Sequence, residues 1–362
     1  MATEFAEVPV HFWNRITLKE KALFYEHLSN LIDGGVTFID ALRSFCEKTE
    51  NPLFYKYATE LLMLVESGDI MSNAMKKLPR AFDRGEVSII EAGEQSGTLQ
   101  RSFSSLAEDL RNQETLSSKL KGAMVYPAII LAFLVAAIMV IMVFVVPKLL
   151  PLFENAGTEL PAVTVSLIAA SNFVANNFLI IVFGIAGLVI GIFSYIKTYQ
   201  GRKHFDTIIL RVPLIGRVYR NYLIVRVSTT LGLLLGAGIP IIKTLRLTGE
   251  STNNLVYEEA VLQVSNLVES GMKIAESFEK VDPKHQIFTQ DFIQLVGAGE
   301  KTSTINKVCV KIAAQYTREV DASVTMLVKF VEPGAILFAG IFVLWFAFAI
   351  FSAVLKITDT VG

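Results

Sequence analysis

The chain of 362 residues is 52% hydrophobic with a mean hydropathy of +0.49, too apolar for an ordinary soluble domain. A net charge of −1 gives no sign of a nucleic-acid binder. Two cysteines, Cys46 and Cys309, are too few for a disulfide framework or a structural metal centre and read as buried small hydrophobes.

The N-terminal segment 1–16 is short and has Glu4 and Glu7 but no basic cluster before an apolar run, so it is not a cleavable signal peptide. From Thr17 the chain reads as helices. Thr17 to Glu20 and Thr37 to Asp40 have the spacing at which a cap side chain satisfies free N–H groups. Phe24, Leu28, Leu31 and Ile32 form one apolar face. Turn signals at Gly34-Gly35, Asn51-Pro52, Gly68, Leu78-Pro79 and Gly93 divide 17–124 into about six helices. No strand signals interrupt them.

Three uncharged stretches reach the roughly 20 residues that cross a bilayer: Val125–Val146, Phe178–Ile196 and Gly334–Leu355. The linker 147–177 and the tail 356–362 each hold one basic residue, whereas 1–124 hold 14 and 197–333 hold 17. Basic residues favour the cytoplasmic side. The expected topology is therefore a cytoplasmic N-terminus, a periplasmic loop at 147–177, a second cytoplasmic helical domain at 197–333 and a periplasmic C-terminus.

The two helical regions resemble each other. The pentapeptide LVESG at Leu64–Gly68 returns 203 positions on, at Leu267–Gly271. Leu28–Leu42 aligns without a gap to Leu231–Leu245. After LVESG the offset grows to 206, so that Ala92-Gly93-Glu94 meets Ala298-Gly299-Glu300 and Pro127 meets Pro333. A fixed offset indicates tandem duplication. The expected fold is all-α: an integral membrane protein with three transmembrane helices and two repeated cytoplasmic six-helix bundles.

Catalytic chemistry is missing from the pattern. Neither GxxxxGK[ST] nor GxGxxG occurs, and GAGEKTS at Gly297–Ser303 lacks both the spacer and the preceding strand of a phosphate loop. The four histidines stand apart from any carboxylate or cysteine at ligand spacing. No cofactor, metal or nucleic acid is expected. The spans lack the ionisable residues that mark ion paths, which disfavours a permease or channel. A signalling scaffold stays as a further alternative.

Three features attract attention. The turn Gly93-Glu94-Gln95-Ser96-Gly97-Thr98-Leu99, with its partner Gly299-Glu300-Lys301-Thr302-Ser303-Thr304-Ile305, precedes a long helix. It reads either as a cap-turn-cap element or as an exposed docking turn, in which Glu94 or Lys301 steers a partner. Gly184, Gly187 and Gly191 give a face on which membrane helices pack closely. Pro127 and Pro333 are expected at the cytoplasmic ends of their spans, the first on a long helical run from Thr98 into the span. Proline is tolerated in a first turn and bends an interior one, so each is expected to set its soluble domain at an angle.

Two helical domains, the GEQSGTL turn, Tyr126-Pro127 at the first span and three spans in this order resemble the inner-membrane platform proteins of type II secretion systems and type IV pili, the GspF/PilC family. The resemblance covers roughly 20–355. It matches Gly93, Glu94, Gly97 and Leu99 to the motif G-E-x-S-G-x-L; the second turn departs from it at Thr302-Ser303 and Ile305. The segment before Thr17 is short for that family. The resemblance implies a multi-pass protein of the bacterial inner membrane without catalytic activity. Its implied partners are a cytoplasmic hexameric assembly ATPase, pilin or pseudopilin subunits, other inner-membrane assembly proteins and further copies of itself.

Overall fold

The computed structural model describes residues 15–154 and 161–361, so the expectations for the N-terminal segment fall almost wholly outside it. The described residues contain helices and no strand. The first six are α1 (Leu18–Asp33), α2 (Phe38–Lys48), α3 (Pro52–Glu66), α4 (Met71–Lys76), α5 (Arg84–Ser96) and α6 (Leu99–Val140). A π-helical turn, Ile141–Val145, leads into α7 (Val146–Glu154), followed by α8 (Ala162–Asn176), α9 (Phe178–Ile196) and α10 (Tyr199–Arg211). The last six are α11 (Ile215–Gly236), α12 (Ile241–Ser251), α13 (Leu255–Glu269), α14 (Ile274–Val281), α15 (Gln290–Lys301) and α16 (Ile305–Val361).

The offsets read from the sequence recur in helix bounds. Both bounds of α2 and α3 return 203 positions on in α12 and α13, and the first residues of α5 and α6 return 206 positions on in α15 and α16. The repeated pentapeptide has a physical reason. Glu66 pairs with Arg43 and Glu269 with Arg246, each at 2.7 Å. The Ser67 and Ser270 hydroxyls donate to the Leu64 and Leu267 carbonyls, each at 2.7 Å. Gly68 and Gly271 then turn the chain at φ of 97° and 93°, a left-handed conformation that suits glycine.

The chain divides into two compact units, Met1–Lys119 with Ile209–Asp321, and Leu120–Ile208 with Ala322–Gly362. In the first, helix starts follow local capping. Thr17 and Glu20 form a reciprocal capping box. Thr37 accepts from the Asp40 N–H without the reciprocal bond, and Asn51 and Asn254 cap α3 and α13. The core is aromatic. Phe24 lies 4.8 Å from Phe45 and 5.0 Å from Tyr25 between ring centroids, and Phe278 lies 4.7 Å from Phe288 and 5.2 Å from Phe292. Leu234, Ile239 and Leu247 of the later helices join the core of the earlier ones beside α5. Arg84 to Glu250 at 2.9 Å and Lys243 to Glu91 at 3.3 Å bracket that contact.

In the second unit the region expected as a loop holds α7 and α8, correcting the reading of 147–177; its residues 155–160 lie outside the described ones. It is apolar enough to pack: Met142, Val146, Leu167 and Ala349 form a buried cluster. Two buried hydroxyls fix α8. Ser171 donates to the Met142 carbonyl at 2.5 Å, within the π-turn where the backbone ladder is altered, and Thr164 donates to the Ala349 carbonyl at 2.6 Å. Where water is scarce, such bonds satisfy carbonyls that would otherwise be costly.

Two helical runs among the described residues, Leu99–Leu149 and Ile305–Lys356, are long and apolar enough to cross a bilayer. The third expected span forms the helix α9 but is not a third such run. Pro127 and Pro333 lie inside α6 and α16, and α6 is the long run expected from Thr98 into the first apolar stretch. Each helix continues through its proline, because one missing N–H costs one rung of a ladder that long neighbouring turns sustain.

Candidate functional site

The paired Gly-Glu turns are the same device built twice. α5 ends at Gly97, which is left-handed at φ 68°; its counterpart Ser303 adopts φ 54°. Thr98 and Thr304 N–H groups return to the Gly93 and Gly299 carbonyls, each at 2.8 Å. The hydroxyls of Ser96 and Thr98 meet at 2.7 Å, as do those of Thr302 and Thr304. The departure from the motif at Thr302-Ser303 therefore leaves the backbone and the hydroxyl pair intact.

Gly93 and Gly299 allow the two helices of each turn to approach. A Cβ on Gly93 would stand 2.2 Å from the Ser102 hydroxyl, and one on Gly299 would stand 3.1 Å from the Ile305 Cα and the Val308 Cβ. Glu94 and Glu300 reach to another helix. Glu94 accepts from the Ser72 N–H at 3.2 Å, and Glu300 accepts from Ile274 and Ala275 N–H groups at 2.7 and 3.2 Å. Neither α4 nor α14 has a side-chain cap of its own. The carboxylates supply it, and they oppose the positive helix N-terminus.

This corrects the reading of Glu94 as an exposed docking charge: it is half-buried and holds the start of α4. Lys301 is exposed. Leu99 is half-buried against the core of the first helices. Gly184, Gly187 and Gly191 lie on α9, and no heavy atom stands within 4 Å of a Cβ added to any of them. The turns belong to the first unit, and the glycine face and the two prolines belong to the second.

A cleft of about 1030 Å³ in the first unit adjoins the first turn and is lined by α6, α11 and α16. Asp109 lies on it, 9% exposed. Its Oδ2 accepts from Gln113 at 2.7 Å and its Oδ1 has no partner. Burial pushes this carboxyl up to about 6, against the opposing pull of Gln113 and Arg226. Arg226 donates to the Ser251 carbonyl at 2.6 Å, while its Nε is buried without a partner. Sequence reasoning missed both residues. The available signal was a stripe at helical spacing, Ser102, Ser105, Asp109 and Asn112, beside the apolar face of Phe103, Leu106 and Leu110. Among the described residues no group of three His, Cys, Asp or Glu side chains could hold a metal ion.

An all-α chain whose helix bounds recur at a fixed offset, each set ending in a long apolar helix, points to a repeated membrane-associated family. The family model for type II secretion system (T2SS) protein F matches at 24–147 and again at 227–353, and the chain belongs to that family. It is similar to the type IV pilus assembly protein PilC of Thermus thermophilus, 31% identical over 95% of this chain and 84% of the relative. The type IV pilus assembly protein TapC of Aeromonas hydrophila is 29% identical over 94% of this chain and 82% of its own length. The type II secretion system protein F of Vibrio cholerae is 24% identical over 96% and 85%.

Proposed function

We propose that this protein is a non-enzymatic platform of the bacterial inner membrane for building a type IV pilus or a type II secretion pseudopilus. It couples a cytoplasmic assembly ATPase to the insertion of pilin or pseudopilin subunits, acting as a homo-oligomer beside other inner-membrane assembly proteins. The observation that carries this reading is the family match at both helical sets, each leading into an apolar run with outward-facing side chains such as Phe133 and Leu344. Such surface is unfavourable in water and suits lipid.

In this reading 17–124 and 197–333 are repeated cytoplasmic bundles. Val125–Val146, Phe178–Ile196 and Gly334–Leu355 cross the membrane, and the C-terminus is periplasmic. Pro127 and Pro333 mark the cytoplasmic ends of their spans, and the Gly184, Gly187 and Gly191 face receives another span. Lys301 is the charged contact offered to the ATPase.

The test is deletion of the gene and complementation. Loss of piliation or secretion, restored by the wild-type chain, is expected; unchanged assembly would overturn the platform. Co-purification of the ATPase should weaken with Lys301→Glu while helix content stays constant. A reporter active only outside the cytoplasm should be on at 155–165 and at the C-terminus, and off near 60 and 260. Activity at 260 would sink the three-span topology.

A further inference from the structure

The cleft lies among α6, α11 and α16, and the first and last of these are the helices that contain the apolar runs. Its α6 lining runs from Arg101 to Lys119, about 27 Å at the helical rise. That length suits a peptide segment better than a compact metabolite. Lys119 meets Asp321 at 3.0 Å and so ties α6 to α16 at this end. The lining includes small side chains, among them Ser105, Thr229, Ala313 and Ala314, and Gly236 opens on space with no atom within 4 Å of an added Cβ. A lining of small residues lets a helix backbone approach closely.

The charges along the cleft are patterned. Arg101 and Lys307 occupy equivalent positions, in the first turns of α6 and α16, and both are exposed. The helix N-termini add partial positive charge there. Asp109 is eight residues further along α6, about 12 Å away, and keeps one buried oxygen without a donor. Glu108 is the other acid of the lining, and it is exposed. A buried acceptor without a partner is costly unless something donates to it.

We propose that this cleft seats an amphipathic helix of a partner protein, about 18 residues long, carrying a Lys or Arg that meets Asp109 and an Asp or Glu about two turns away that meets Arg101 and Lys307. The partner belongs to the assembly machinery, so this step rests on the platform reading.

The full chain in nanodiscs is titrated with a fluorescent 18-residue alanine-based helix bearing Lys and Glu eight positions apart. Saturable binding is expected, about tenfold weaker for Asp109→Asn, the loss expected for one charge-assisted hydrogen bond. A peptide with Glu at both positions should bind at least as poorly. Equal binding of the two peptides, an unaffected Asp109→Asn, or no binding overturns the proposal. If Asp109→Asn fails to fold, the exposed pair Arg101→Glu and Lys307→Glu carries the same test.

In cells, a Ser105→Cys chain should resist maleimide when the machinery is present and react once purified. Reaction in both settings overturns the proposal. Protection in both assigns the cleft to a second copy, and protection lost on washing the membranes assigns it to a small solute; either result also overturns it. The peptide titration does not depend on piliation, so failure of the platform reading and failure of this cleft are separable.

Discussion

At one pair of equivalent positions the two helical sets solve the same packing problem with opposite chemistry. The first buries an ion pair: Lys21 donates to Glu86 at 2.8 and 3.0 Å, and Tyr25 adds a bond at 3.2 Å. By the same offsets the second has Ile224 and Phe292, both fully buried. Burial and the nearby Asp83 raise the Glu86 carboxyl from 4.5 to about 7, against the opposing pull of Lys21. An apolar pair can replace a buried ion pair with little loss, whereas removing one partner strands a charge. The fold therefore requires a filled core at this place and tolerates either way of filling it.

The surfaces differ in a related manner. α5 is covered by Leu234, Ile239 and Leu247. The positions in the first set that would mirror Ile239 and Leu247 are Val36 and Ser44, and Val36 is exposed. On the receiving side Ser88 is buried while its counterpart Gln294 is exposed. The contact is thus one-directional within the chain: where it would otherwise repeat stand an exposed Val36 and the polar residues Ser44 and Gln294.

The ion-pair comparison breaks most sharply with Lys21→Ile alone. A loss of about 3–5 kcal/mol is expected only at about pH 9 and above, where Glu86 is charged, and a smaller one at neutral pH, where Glu86 without Lys21 holds its proton. Both are read by circular-dichroism melting of the full chain in detergent. Adding Glu86→Phe should restore most of it; failure to do so would mean the two cores are not interchangeable here. The pH dependence has a definite sign. Because the folded value of Glu86 lies above its unfolded one, its contribution is full below about 4.5 and is lost as pH rises through about 7. Glu86→Gln, which keeps the capping geometry, should flatten that part of the profile.

Next in size are the close approaches. Gly93→Ala puts a methyl 2.2 Å from the Ser102 hydroxyl and 2.9 Å from its Cβ, a conflict worth about 2–3 kcal/mol. Gly299→Ala meets atoms at 3.1 Å and should cost about 1 kcal/mol. Equal melting shifts would mean the two turns are packed alike.

The carboxylate caps come third. Glu300→Ala removes two bonds and Glu94→Ala one, so losses of about 1–2 and about 1 kcal/mol are expected. The reverse order would show that bond count does not rank these caps.

The helical class, the offsets and the turn motif were legible because capping, periodicity and glycine placement are local. Gly68 and Gly271 stand where LVESG ends a helix, and Asn51 and Asn254 stand where a proline or leucine begins one. What could not be read was tertiary. Nothing local says that Glu94 reaches Ser72 across 22 positions or that Asp109 is buried and feels the charge of Arg226 from a later helix. The region 147–177 was misread because its apolar residues were short of a span and too interrupted for a clear helical period.

The smallest effect concerns the left-handed residue that closes each turn. Gly97 adopts φ 68° without a Cβ to object, whereas Ser303 holds φ 54° with one. Neither position is covered: both are exposed, and a Cβ on Gly97 would meet nothing within 4 Å. Packing is therefore excluded as a cause of any difference, and only backbone preference is left. A left-handed conformation disfavours a non-glycine residue by roughly 1–2 kcal/mol, while glycine gives back part of this through its freer unfolded chain. Ser303→Gly should stabilise the chain by about 0.5–1 kcal/mol, and Gly97→Ser should destabilise it by a similar amount. The hydroxyl pair of Thr302 and Thr304 does not involve Ser303, so it survives the first change. Melting of the two single variants and of the double exchange decides it. If Ser303→Gly destabilises, the serine makes a contact of its own, and the two turns differ in more than backbone strain.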